Sequence, residues 1–142
     1  MQNKPEYPLR VFYDGSCVVC ATEIEHYLRQ DHGGRLVAVD IATPEFDPAP
    51  FQITLNRFMY ELHAVDRDGV IYRGVEAFQA IWQAFPNSAL YVTLNSVIAL
   101  PLVNSIARMF YKCFARIRPY LPKRNHCHSG TCRINNYQEP PK

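Results

Sequence analysis

The sequence predicts an α/β fold in which a parallel β-α-β unit is followed by an antiparallel hairpin, a helix and a helical extension. Three observations lead there. Two runs of β-formers, Leu9–Tyr13 and Leu36–Ile41, flank a segment whose apolar residues recur at helical spacing. Asp68-Gly69 stands between two further β-prone runs. Residues 77–107 then give 31 positions without one charged side chain. With 142 residues, 48% hydrophobic and 20% charged, the chain has the size and balance of one globular domain. A mainly disordered protein and a disulfide-held framework are both excluded.

Each element has a local reason. Leu9-Arg10-Val11-Phe12-Tyr13 is a strand ended by Asp14-Gly15. Cys17, Ala21, Ile24 and Leu28 lie on one helical stripe, and Gly33-Gly34 stop that helix. Leu36–Ile41 is nearly continuous in apolar character, which predicts a buried parallel strand. Pro44, Pro48 and Pro50 make residues 42–52 a loop with at most a short helix after it. Met59 to Val65 reads as a third strand, Asp68-Gly69 as the hairpin turn, and Val70–Arg73 as the returning strand. Gly74 opens a helix through Val75, Phe78, Ile81 and Trp82 that ends near Pro86. This is the element order of a thioredoxin-like fold, βαβ…ββα. The expected domain is 1–123, including C-terminal helices, with a polar Cys/His-containing tail over 124–142.

Charge is distributed unevenly. Residues 1–107 carry seven Lys/Arg against twelve Asp/Glu, and residues 108–142 carry eight against Glu139 alone. The charge-free stretch is interrupted by Gln79, Gln83, Asn87, Asn95, Pro101 and Asn104. A buried or partner-facing helical pair is therefore expected rather than a spanning helix, with peripheral membrane contact as a separate option. No helix-turn-helix, zinc-finger or aromatic RNA-binding signature accompanies the basic end, so no nucleic-acid partner is expected. The first ten residues hold no apolar run before a cleavage site, and a cytoplasmic, reducing location is the expectation.

The chemistry concentrates in Tyr13-Asp14-Gly15-Ser16-Cys17-Val18-Val19-Cys20. A strand ends, Gly15 allows a tight turn, and Cys17 lands where a helix begins. There the backbone N–H groups and the positive end of the helix dipole stabilise a thiolate. Cys20 follows about one turn later on the same side, within disulfide reach. On this reading Cys17, nearer the open end, attacks, and Cys20 resolves the mixed disulfide from within. Redox chemistry stands ahead of zinc binding and of inert core cysteines, because the pair follows a strand and opens a helix. Asp14 would raise the Cys17 pKa or take a proton during exchange, and capping of the helix is the slightly favoured role.

These residues resemble the DCC family, predicted thiol–disulfide oxidoreductases of thioredoxin-like fold named for an aspartate and two cysteines. Asp14, Cys17 and Cys20 carry the match. Asp68-Gly69-Val70-Ile71-Tyr72-Arg73-Gly74-Val75-Glu76-Ala77 and Tyr111-Lys112-Cys113-Phe114-Ala115-Arg116-Ile117-Arg118 are similar to two further stretches of that family. The resemblance implies dithiol–disulfide exchange at Cys17 and Cys20 with a protein or small-molecule disulfide or dithiol, and no organic cofactor. Thioredoxins carry a cis-proline before the third strand. Residues 54–66 here contain no proline, and Ser16 replaces the aromatic residue that usually precedes the first Cys.

A second cluster, His126, Cys127, His128 and Cys132, has three readings. It could form a second disulfide that passes electrons to the first pair, bind zinc alone or with that pair, or do neither. Cys113 is expected to be a buried small hydrophobe, His63 structural, and His26 and His32 solvated. Three functions follow: a thiol–disulfide oxidoreductase, a zinc-stabilised binding module using Cys17, Cys20, Cys127 and Cys132, or a membrane-associated adaptor on a thioredoxin-like scaffold.

Overall fold

The computed structural model describes residues 4–121. Its chain runs through β1 (Leu9–Tyr13), α1 (Val18–Gln30), β2 (Leu36–Asp40), α2 (Leu55–Tyr60), β3 (His63–Val65), β4 (Ile71–Arg73), α3 (Val75–Trp82), α4 (Ala89–Ile98) and α5 (Pro101–Ile117), with short 3-10 turns at Ala49–Phe51 and Arg118–Tyr120. The sheet order is β2-β1-β3-β4. β1 pairs parallel with β2 and antiparallel with β3, which pairs antiparallel with β4. This is the mixed α/β, thioredoxin-like core with helical C-terminal extension that the sequence predicts.

Alternation along β1 builds two cores. Leu9 and Val11 face α1 and α3, where they meet Ile24, Tyr27, Ala77 and Ile81. Phe12 points the other way, into a cluster with Phe58, Met59 and Val65. Its ring centroid lies 4.8 Å from that of Phe51 and 5.1 Å from that of Phe58. The α1 stripe turns toward Tyr27, which is buried, and leaves Leu28 exposed.

Several sequence expectations are corrected here, while the hairpin turn at Asp68-Gly69 is found where the sequence predicts it. β2 pairs parallel with β1 as expected, but it is an edge strand that is not buried along its length, and Val37 is exposed. Its apolar run belongs to a strand with a neighbour on one side only. Met59 lies in α2, so the third strand keeps only His63–Val65. Thr54 caps α2 by accepting from the Arg57 N–H at 3.3 Å, and Leu55, Phe58 and Met59 share a helical face toward the core. The hairpin loop covers residues 66–70 and is closed by a buried carboxylate. Asp66 Oδ1 accepts from the N–H groups of Asp68 and Val70 at 3.0 and 2.8 Å, and Oδ2 accepts from the Tyr72 hydroxyl at 3.2 Å. Finally, the helical pair expected to be buried or partner-facing is not buried: Tyr91 is the one buried residue of α4, and Ala115 of α5. Cys113 is exposed for the same reason, since it lies on the outward side of α5.

The cluster His126, Cys127, His128 and Cys132, with the rest of the 124–142 tail, lies outside the described residues. His63 is fully buried, and His26 and His32 are exposed, as expected.

Candidate active site

The turn from β1 into α1 is assembled by two carboxylates. Asp14 Oδ1 accepts from the Ser16 N–H at 2.9 Å and from the Ser16 hydroxyl, and the Cys17 N–H donates to the Asp14 carbonyl at 3.1 Å. Asp40, at the end of β2, accepts from the Gly15 N–H at 2.9 Å and from the Ala42 N–H at 2.8 Å. A Cβ on residue 15 would overlap the Asp40 carboxylate, so this close approach requires glycine. Asp14 does not cap the helix. Cys17 itself is the N-cap of α1, and its Sγ accepts from the Cys20 N–H at 3.4 Å.

Cys17 and Cys20 are free thiols on one helical turn and are hydrogen-bonded to each other. The Cys20 thiol donates to Cys17 Sγ, and this bond is the main force pulling the Cys17 pKa down to about 6. Burial works against it, the Cys20 N–H and the Arg118 charge assist it, and Asp14 opposes it. The Cys20 pKa is pushed up by the same bond and by burial. The negative charge of the pair therefore rests on Cys17.

The order of exposure reverses the expectation. Cys17 exposes 2% of its surface, whereas Cys20 is half-buried and lines a cavity of about 30 Å³ with Leu62, Phe78, Tyr111, Phe114 and Arg118. Cys17 is drawn inward together with Asp14 and Ser16 of the same turn, which are buried as well.

Two residues of the C-terminal extension complete the site, and neither is given a role by the sequence reading. Arg118 is 8% exposed, and its Nη2 lies 3.9 Å from Asp14 Oδ2. Burial disfavours its charge, but Cys20, Asp14, Tyr111 and Cys17 around it hold its pKa above the ordinary value. Its Nε is a buried donor without a hydrogen-bond partner among the described residues. Tyr111 accepts from the Leu62 N–H at 2.6 Å, and the Leu62 carbonyl accepts from the Gly74 N–H at 2.9 Å. The backbone just before β3 is thus fully paired inside the chain. The family-like Tyr111–Arg118 stretch was the available signal, yet nothing local distinguishes Arg118 from Arg116.

His63 sits in β3 with Nδ1 2.9 Å from the Glu61 carbonyl, and burial lowers its pKa to about 4, so it is a neutral core residue. Among the described residues no three His, Cys, Asp or Glu side chains converge to hold a metal.

The DCC1-like thiol–disulfide oxidoreductase family matches residues 11–124, and the chain belongs to that family. The chain is also similar to an uncharacterized chloroplastic protein of Arabidopsis thaliana, 25% identical over 118 residues. That match covers 81% of this chain and 53% of the relative, so the chain spans about half the length of the curated relative it matches. No solved structure matches it. The family supports a general thiol–disulfide oxidoreductase role.

Proposed function

We propose that Cys17 and Cys20 are the redox pair of a thiol–disulfide oxidoreductase, with Cys17 as the attacking sulfur. The observation that carries this reading is the placement of Cys17 Sγ at the mouth of α1, where it accepts a hydrogen bond from the Cys20 N–H at 3.4 Å. A thiolate held there at neutral pH is nucleophilic, and the neutral Cys20 thiol waits one turn away.

The exchange balances without a cofactor. The Cys17 thiolate attacks one sulfur of a substrate disulfide, forming a mixed disulfide and expelling the other substrate sulfur as thiolate. That leaving sulfur takes up a proton. Cys20 then loses its proton and attacks Cys17 Sγ. The mixed disulfide breaks, the second substrate sulfur leaves as thiolate and takes up the proton that Cys20 lost, and the Cys17–Cys20 dithiol has given up two electrons to become a disulfide. Run backwards, the same steps oxidise a dithiol. The family implies protein substrates in general. A substrate does not bind by pairing with the strand backbone at Leu62, because both of its groups are already paired.

The test is trapping. Incubated with a disulfide-bonded substrate protein, the Cys20→Ser variant accumulates a mixed disulfide through Cys17, and Cys17→Ser does not. Accumulation through Cys20 in the Cys17→Ser variant alone reverses the roles. Failure of wild type to form an internal Cys17–Cys20 disulfide in a redox titration overturns the reading. The zinc-module alternative needs Cys127 and Cys132, which lie outside the described residues, and no observation favours it.

A further inference from the structure

The outward side of α5 is apolar along its whole length. Leu102, Ile106, Met109, Phe110 and Ile117 recur at helical spacing, and Tyr120 extends the row into the following turn. All are exposed, Leu102 by 75% and Tyr120 by 88%. The opposite side, with Tyr111, Phe114, Ala115 and Arg118, packs on the body of the protein. Bare residues of this size in one row need a cover. The preceding helix, α4, also exposes Leu90, Val92 and Val97.

Charge selects the cover. Residues 77–121 contain Arg108, Lys112, Arg116 and Arg118 and no carboxylate. Arg108 pairs with Glu76 and Arg118 turns inward to Asp14, whereas Lys112 and Arg116 are exposed beside the apolar row. Beyond them, residues 122–142 add Lys123, Arg124, Arg133 and Lys142 against Glu139. A second copy docked symmetrically on this row would set like charges against each other with no acid on α4 or α5 to answer them. The chain's own residues 122–142 offer only Ile134 and Tyr137 as large apolar side chains, too few to cover it.

Geometry then separates lying on a bilayer from crossing it. α5 has 17 residues, a length of about 25 Å against a hydrocarbon core of about 30 Å. α4 and α5 meet at a bend of 97°, and among the described residues no single helix is long and apolar enough to span. One apolar side, one body-facing side and flanking cations are the features of a helix that lies in the interface plane. We propose that α5, with the exposed residues of α4, docks this protein on an anionic lipid surface, with the apolar row in the acyl boundary and Lys112 and Arg116 at the headgroups. This inference is independent of the dithiol chemistry.

Flotation of the full chain with vesicles of phosphatidylcholine alone, or mixed with phosphatidylglycerol, tests it. The protein is expected to float with the anionic vesicles at least about tenfold better than with neutral ones, and to be released by high salt. Leu102→Glu combined with Phe110→Glu abolishes flotation with an unchanged denaturation midpoint, since both sites are exposed. Lys112→Gln with Arg116→Gln weakens flotation by about tenfold or more. Three results overturn the proposal: no flotation of wild type with either vesicle, flotation unchanged in the Glu variant, or a wild-type dimer that the Glu substitutions convert to monomer without any lipid binding.

Discussion

Arg118 Nη2 stands 3.9 Å from Asp14 Oδ2, joining the segment that follows α5 to the turn that precedes α1. Both side chains are almost entirely buried, and the pair borders the sulfurs of Cys17 and Cys20. Asp14 alone would resist a thiolate at Cys17, and the guanidinium offsets that resistance while it helps close the site.

Removing the guanidinium therefore has two separable effects. In Arg118→Ala the midpoint of the pH profile for alkylation of Cys17 rises, because a cation that lowered it is gone. The plateau rate above the midpoint also rises, because the site loses part of its cover. Asp14→Asn moves the midpoint in the opposite direction. Iodoacetamide kinetics on a variant carrying Cys113→Ser read Cys17 without interference from the exposed thiol on α5. A midpoint unchanged in Arg118→Ala would mean that Arg118 is a packing residue only.

Gly15→Ala is expected to destabilise the fold by about 1–3 kcal/mol, since the added methyl meets the Asp40 carboxylate that holds the turn. Urea denaturation measures the loss. The Cys17 alkylation midpoint shifts with it, as the turn sets the position of the helix N-terminus.

Tyr111→Phe leaves the Leu62 N–H without its acceptor, at a cost of about 1–3 kcal/mol. If the same bond also blocks the strand backbone before β3, hydrogen exchange at Leu62 rises selectively in this variant while exchange along β1 does not.

His63 makes stability depend on pH. Its pKa is about 4 in the fold against an ordinary 6.5, so between those values the unfolded chain binds the extra proton. The contribution is complete above pH 6.5 and is lost progressively as pH falls toward 4. The full difference corresponds to about 3 kcal/mol. In His63→Gln the slope of unfolding free energy against pH across that window flattens, which denaturation at several pH values detects.

Cys113→Ser changes stability by less than about 0.5 kcal/mol, because the side chain is exposed rather than packed. It removes the exposed thiol among the described cysteines and leaves the Cys17–Cys20 midpoint in a redox titration unchanged.

The sequence by itself determined what depends on neighbours in the chain. Alternation from Leu9 to Tyr13, the helical stripe through Ala21 and Ile24, and the step from strand to Gly15 to Cys17 are short-range patterns, fixed by backbone geometry and residue spacing. They placed Cys17 at the start of α1 and Cys20 one turn on. Where a short pattern fitted two periods, as at Met59, local reading chose the strand and packing of Phe58 and Met59 on Phe12 made a helix. Tertiary structure alone decided that β2 is an edge, that Cys17 is the less exposed residue of the pair, and that α5 brings Tyr111 and Arg118 to the site while its other side stays bare. Those outcomes depend on which distant surfaces meet, and the burial of a side chain is a property of the meeting, not of the segment that carries it.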